Sequence, residues 1–119
     1  MQRDRVAASS LALTRAVDKL RGGRVKPARS AAARLTADLR RYRDVLVASK
    51  PQASQASAKP AALRAVDRHI AAVRELRRAL ARYASSRDRT ASARTVAKAA
   101  RKLTEANSAT AAASRRLLR

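Results

Sequence analysis

Clusters of arginine and lysine are the residues of this chain whose type and spacing could do chemistry. In two of the clusters, at 74–82 and 94–102, the basic residues recur three or four positions apart, so they would lie along one stripe of a helix. A planar guanidinium group can donate two hydrogen bonds to one phosphate, and a stripe of such groups matches a row of phosphates. We therefore predict a polyanion-binding surface made of the clustered residues, which are Arg40, Arg41, Arg43, Arg74, Arg77, Arg78, Arg82, Arg94, Lys98, Arg101, Lys102, Arg115 and Arg116.

The charge balance of the chain leaves these basic groups with too few acidic partners. The 119 residues include 29 Lys and Arg but only 8 Asp and Glu, which gives a net charge of +21 at pH 7. A solvated helix face normally alternates acids with bases, and here the acids are too few to do so. Such a chain repels itself strongly at low salt and gains stability from anions or from a partner.

The composition also indicates how a nucleic acid would be bound. Proteins that read base sequence aim amide side chains at base edges, and the single Asn107 lies among small residues. Proteins that bind single strands stack bases on aromatic side chains. The aromatic residues here, Tyr42 and Tyr83, lie on apolar seams, and we expect them in the core. The predicted partner is therefore the phosphate backbone of DNA or RNA, or another polyanion, bound without sequence specificity.

Residues suited to catalysis or metal binding are scarce. The chain has no Cys, which excludes thiol chemistry, disulfides and Cys-ligated zinc. His69 is the single His, and we expect it at the surface or at the boundary of the fold. The acids Asp38, Asp44, Asp67 and Glu75 are expected to form ion pairs with nearby Arg. We therefore predict no catalytic residue, no metal site, no cofactor and no enzymatic activity.

Apolar residues recur every three or four positions in four segments, a spacing typical of amphipathic helices. A proline is expected to begin the second and third helices, Gly22-Gly23 to end the first, and Ser86 or Asp88 to cap the fourth. No segment is long and apolar enough to span a membrane. The predicted helices run from about 4 to 21, from 27 to 49, from 60 to 84 and, after a turn at 85–90, to about 117.

These segments predict an all-α fold of two helical hairpins, residues 1–49 and 60–119, joined by an exposed linker at 50–59. The four helices would form an elongated bundle or lie splayed on a partner. The predicted packing seam of the second and third helices is Leu35, Leu39, Tyr42, Leu46, Val66, Ile70, Val73, Leu76, Leu80 and Tyr83. The first helix would contribute Val6, Ser10, Leu13, Val17 and Leu20, and the fourth Val96, Ala100, Leu103, Asn107, Thr110, Ser114 and Leu117.

The segment 66–83 (VDRHIAAVRELRRALARY) resembles the helices of the CHAD domain, an all-helical family that binds polyphosphate. Segment 25–42 is similar at fewer positions, and the two segments cover about a third of the chain. Lys26 and Asp67 stand where the family has its characteristic His. The resemblance implies a helical fold and polyphosphate as a candidate ligand, and the residues that carry it are Val66, Ala72, Arg74, Leu76, Arg77 and Leu80.

These patterns predict a non-enzymatic structural protein of an assembly that contains nucleic acid, such as a virion, a ribosome-like particle or a nucleoid, with protein neighbours in that assembly. One alternative is a phage or virus component that docks on acidic protein surfaces by helix packing. A second alternative is a polyphosphate-binding helical protein. A third is a protein bound to the surface of an anionic membrane, into which its Ala-rich helices would insert only shallowly. No hydrophobic signal core begins the sequence, so we expect the protein in the cytoplasm, the nucleoid or a virion rather than secreted.

Overall fold

The computed structural model describes residues 2–18, 20, 25–50 and 56–117. Over these residues the chain forms four α-helices: α1 (Gln2–Asp18), α2 (Lys26–Ala48), α3 (Ala58–Ser85) and α4 (Arg89–Leu117). The molecule measures 54 × 21 × 17 Å and has a radius of gyration of 15.4 Å. A compact protein of this length has a radius of gyration of about 13.5 Å, so the bundle is elongated.

The helices pack as a bundle, which confirms the predicted all-α fold and its bundle form. Each helix packs mainly on its neighbours in the sequence, α1 on α2, α2 on α3 and α3 on α4, whereas α1 and α4 touch only lightly. Successive helices are antiparallel, so the start of α1 lies at the same end of the bundle as the end of α2. The bundle is therefore closed tightly along three of its helix pairs and is open along the fourth.

The core follows the seams predicted on α2 and α3. Every predicted seam residue of these helices is buried, and Leu35, Leu39, Val73, Leu76 and Leu80 are 0% exposed. These side chains repeat at spacings of four and three, which keeps one face of each helix toward its neighbour. The prediction that Tyr42 and Tyr83 are core residues is also confirmed, because both are buried.

The seams of α1 and α4 follow their predictions less closely. On α1, Ser9 and Ala16 are buried, while Val17 packs against the core only in part. On α4, the buried Ala99 takes the position in the core that was predicted for Ala100. Ala99 and Ala100 both lie three or four positions from Val96 and from Leu103, so the spacing alone does not determine which of the two is buried.

Some helix ends lie away from their predicted positions. Helix α3 begins at Ala58, inside the segment that was predicted as a linker up to residue 59, and residues 51–55 of that segment lie outside the described residues. Helix α1 is described as far as Asp18, and its predicted end at 21 lies outside the described residues. The Lys59 ammonium group donates hydrogen bonds to the carbonyl oxygens of Val47 (2.9 Å) and Ser49 (2.7 Å). This side chain satisfies carbonyls at the end of α2 and thereby ties the start of α3 to it.

The sequence also predicted a capping residue for α4 and a glycine pair that ends α1. The Asp88 carboxylate accepts a hydrogen bond from the Ala91 backbone N–H at 3.2 Å, so Asp88 caps α4, one of the two predicted alternatives. The other alternative, Ser86, hydrogen-bonds the Asp88 carbonyl oxygen instead. The Gly22-Gly23 pair, predicted to end α1, lies outside the described residues.

Polar side chains join the helices at several levels of the bundle. The Ser9 hydroxyl donates to the buried Asp38 carboxylate, which links α1 to α2. The Tyr42 hydroxyl hydrogen-bonds the Ser114 hydroxyl near one end of the bundle. The Tyr83 hydroxyl donates to the Leu20 carbonyl oxygen at 3.3 Å near the other end. These bonds add directional contacts between helices to the apolar contacts of the core.

Candidate polyanion-binding surface

The structure places the predicted basic residues on the outside of the bundle. All of them are exposed except Arg43, which is half-buried. They do not form one continuous stripe, because neighbours in the sequence lie on different sides of a helix. Arg41 faces the groove between α1 and α2, Arg43 reaches α3, and Arg94 and Arg101 line a groove between α1 and α4.

Arg43 and Lys102, both predicted basic site residues, are paired with acids. The Arg43 Nε donates to the Asp67 carboxylate at 2.8 Å, and the Lys102 Nζ donates to the Glu75 carboxylate at 3.0 Å. The hydrogen bond to Asp67 and its negative charge raise the pKa of Arg43 above its ordinary value. These pairs compensate the two positive charges locally. The expected pairing of Asp67 with an Arg is confirmed, whereas Glu75 pairs with a Lys instead.

Arginines from two helices converge in a cleft between α2 and α3, which we call the arginine cleft. It is lined by Arg29 from α2 and by Arg77, Arg78 and Ala81 from α3, and its volume is about 240 Å³. No acidic side chain is among these lining residues, and the methyl group of Ala81 leaves room between the guanidinium groups. Three guanidinium groups around one cleft can surround a phosphate with charge-assisted hydrogen bonds from several sides.

A second basic groove, between α1 and α2, is less suited to anions. Arg5, Arg34 and Arg41 lie around a floor of small residues and the Ser9–Asp38 pair, and the groove has a volume of about 590 Å³. The Asp38 carboxylate places a negative charge in that floor and would oppose a bound anion. The arginine cleft is therefore the better candidate.

Sequence reasoning found Arg77 and Arg78 but missed Arg29. The signal that could have found it is the register between α2 and α3. The antiparallel arrangement that sets Arg43 beside Asp67 also sets Arg29 beside Ala81, fourteen residues away along each helix. Two residues predicted on the same stripe of α3, Arg74 and Arg82, do not line the cleft, and each lies about one helical turn from Arg78.

His69 is in the core, so its predicted place at the surface or boundary is wrong. The side chain is 0% exposed, and its Nδ1 lies 3.0 Å from the Thr110 hydroxyl. That hydroxyl also donates to the Ala106 carbonyl oxygen at 3.0 Å. The remaining nitrogen, Nε2, is buried and has no hydrogen-bond partner among the described residues. The imidazole fits inside because α4 presents only small residues at this level.

Burial of His69 predicts that the protein loses stability in mild acid. Desolvation of the charged form lowers the pKa of His69 to about 4. In the unfolded chain the imidazole is protonated near pH 6.5, whereas in the folded protein it stays neutral at that pH. The free energy of unfolding is therefore unaffected by protonation of His69 above that pH, and it declines as the pH falls from 6.5 toward 4. We expect a loss of about 2 kcal/mol between pH 7 and pH 5.

Urea unfolding of the wild type and of His69→Leu at both pH values measures this contribution. The variant retains the Thr110–Ala106 hydrogen bond but has no imidazole to protonate. Its stability should change less between the two pH values than that of the wild type, by the amount assigned to His69. An equal change in both proteins would contradict the assignment.

The described residues hold no group of three His, Cys, Asp or Glu side chains that could bind a metal ion. In the same part of the chain, no helix is long and apolar enough to cross a membrane.

Comparison with known proteins finds no matching family model, curated protein or solved structure for this chain.

Proposed function

We propose that this protein is a non-enzymatic structural component of an assembly that contains nucleic acid, and that it binds the phosphate backbone without reading base sequence. The arginine cleft carries the proposal. It brings Arg29, Arg77 and Arg78 together from two helices with no acid among its lining residues. A cleft of this kind suits an anion that offers several oxygens in different directions, as a phosphate group does.

The overall charge of the protein favours a polymeric anion over a single phosphate as the ligand. With 29 basic and 8 acidic residues, at least 21 positive charges are left over even if every acid is paired. Such an excess, spread over an elongated bundle, suits a ligand with many regularly spaced negative charges. Each phosphate neutralised by Lys or Arg releases condensed counterions, and this release drives backbone binding.

Burial of the aromatic residues supports binding to the backbone rather than to bases. Tyr42 and Tyr83 are 6% and 7% exposed, so their rings are not available to stack on the bases of a single strand. Asn107 is half-buried on α4. Duplex DNA and structured RNA, which present their phosphates outward, are therefore the preferred ligands of this proposal.

Salt-dependent binding is the test of this function. The binding constant would be measured by fluorescence anisotropy for two DNA duplexes of unrelated sequence, an RNA duplex and a polyphosphate chain, from roughly 50 to 500 mM salt. We expect the logarithm of the binding constant to fall linearly with the logarithm of the salt concentration, with a slope of about −5 or steeper. The two DNA sequences should give the same line.

Three results would contradict the proposal. One is a strong preference for one DNA sequence, and another is affinity that does not change with salt. The third is tight binding of polyphosphate with no binding of either nucleic acid, which would favour a polyphosphate-binding protein instead.

A further inference from the structure

The open side of the bundle forms a long groove between α1 and α4, which we call the α1–α4 groove. Its volume is about 960 Å³, and it extends along α4 from Arg89 to Thr104. At 1.5 Å per residue this stretch is about 23 Å long, or four helical turns. The apolar and small residues that line it are Val17, Leu20, Val96, Ala93, Ala97 and Ala100.

The accessible apolar surface of this groove comes from Val17 on α1 and from Ala93, Ala97 and Ala100 on α4. Leu20 and Val96 are buried at its base, whereas Val17 is half-buried at its side. The other three helix pairs of the bundle close on each other, but α1 and α4 make few contacts. An additional helix laid between them would cover this apolar surface and complete the packing on both walls.

The rim of the groove indicates the charge of its occupant. Arg89, Arg94 and Arg101 stand along the α4 side, while the α1 side contributes Asp18. Arg89 also lies over the Tyr83 ring, 5.3 Å from its centroid, which holds the guanidinium group beside the groove. The rim therefore has an excess of positive charge, and a second copy of this chain, with its own charge of +21, would be repelled.

We propose that the α1–α4 groove is the docking site for an amphipathic helix of a partner protein, with acidic residues flanking its apolar face. The partner helix places apolar side chains at i, i+3 or i+4, and i+7 against Val17, Ala93 and Ala97, above the buried Leu20 and Val96. Its Asp and Glu residues meet the arginines of the rim. This site is separate from the arginine cleft, which lies between α2 and α3, so one molecule can hold a nucleic acid and a protein neighbour at the same time.

The test uses the full chain and a designed peptide of about 18 residues, long enough to span the groove as a helix. The peptide carries Leu at the spacing given above and Glu at the flanking positions, and a scrambled peptide of the same composition is its control. We expect the patterned peptide to bind at least about tenfold more tightly than the scrambled one, because only the patterned peptide presents a continuous apolar face. Equal binding of the two peptides would show that charge alone acts, and it would overturn the proposal.

Two matched variants locate the binding. Ala97→Phe fills the groove from an exposed position of α4, and Ala71→Phe adds the same ring at an exposed position of α3 outside it. Ala97→Phe should weaken binding of the patterned peptide about tenfold, whereas Ala71→Phe should leave it unchanged. Unchanged affinity of Ala97→Phe, with retained helix content, would overturn the proposal.

Two further measurements separate this proposal from other partners. A variant with Arg29, Arg77 and Arg78 replaced by Gln should bind the peptide as the wild type does, even where its binding of DNA is lost. Vesicles of phosphatidylcholine and phosphatidylglycerol should not displace the patterned peptide at physiological salt. Displacement by those vesicles would assign the groove to a membrane surface and would overturn the protein partner.

Discussion

Replacing Arg29, Arg77 and Arg78 together with Gln should weaken the binding of duplex DNA on the order of a hundredfold at 0.1 M salt, because three phosphate contacts are lost. Gln retains much of the side-chain length and can still hydrogen-bond, but it has no charge with which to release counterions. The slope of log affinity against log salt should become shallower by up to about 2.7 for the same reason. Fluorescence anisotropy over a range of salt concentrations measures both quantities.

A control of equal net charge separates the cleft from the general charge of the protein. Arg15, Arg64 and Arg87 are exposed and lie outside the arginine cleft. Their combined replacement by Gln also removes three charges, but from scattered positions, and we expect only a small loss of affinity. If the two triple variants lose the same affinity, the cleft has no special role, and binding of DNA depends only on the total positive charge of the protein. Circular dichroism should show unchanged helix content in both.

Leu76→Asp should leave the protein largely unfolded at 25 °C, so that heating produces no cooperative unfolding transition. Leu76 is 0% exposed at the centre of the α3 seam. Truncating a buried Leu costs about 2–5 kcal/mol, and an unpaired carboxylate in its place adds the cost of desolvating a charge. Together these terms are comparable with the whole stability of a typical small domain, about 5–15 kcal/mol. Thermal unfolding followed by circular dichroism measures the effect.

The matched control introduces the same carboxylate on the surface. Val45 lies on α2 and is 54% exposed, so Val45→Asp adds the charge without opening the core. Its stability should stay within about 0.5 kcal/mol of the wild type. A melting curve of Leu76→Asp that matched that of Val45→Asp would show that the α3 seam does not hold the bundle together.

The parts of the fold that sequence predicts well are those where large apolar residues mark the buried face. On α2 and α3, residues such as Leu39 and Leu80 repeat at spacings of four and three between charged neighbours, so only one face of each helix can be buried. On α4 the corresponding positions are small, and the spacing could not decide between Ala99 and Ala100. The position of His69 was missed because the space it occupies is created by small residues of a different helix.

The candidate site was predicted in part, for a related reason. Charge and spacing along one helix identify Arg77 and Arg78, because both lie in one dense basic cluster. Their partner Arg29 is isolated in sequence and joins them only through the register of α2 against α3. The exposed α1–α4 groove likewise depends on how two helices far apart in sequence are placed. Which residues share a face of one helix can be predicted from their spacing in the sequence. Which residues of different helices come together can be known only from the packed structure.

The central claim is that the phosphate charge of a nucleic acid is what this protein binds, and a duplex with a neutral backbone tests it most directly. Affinity would be measured at 0.1 M salt for a short DNA duplex and for a duplex of the same sequence with methylphosphonate linkages, which retains the bases but removes the charge. We predict that the neutral duplex binds at least about a hundredfold more weakly. Equal affinity for the two duplexes would contradict the claim, because the protein would then be recognising bases or groove shape rather than phosphate.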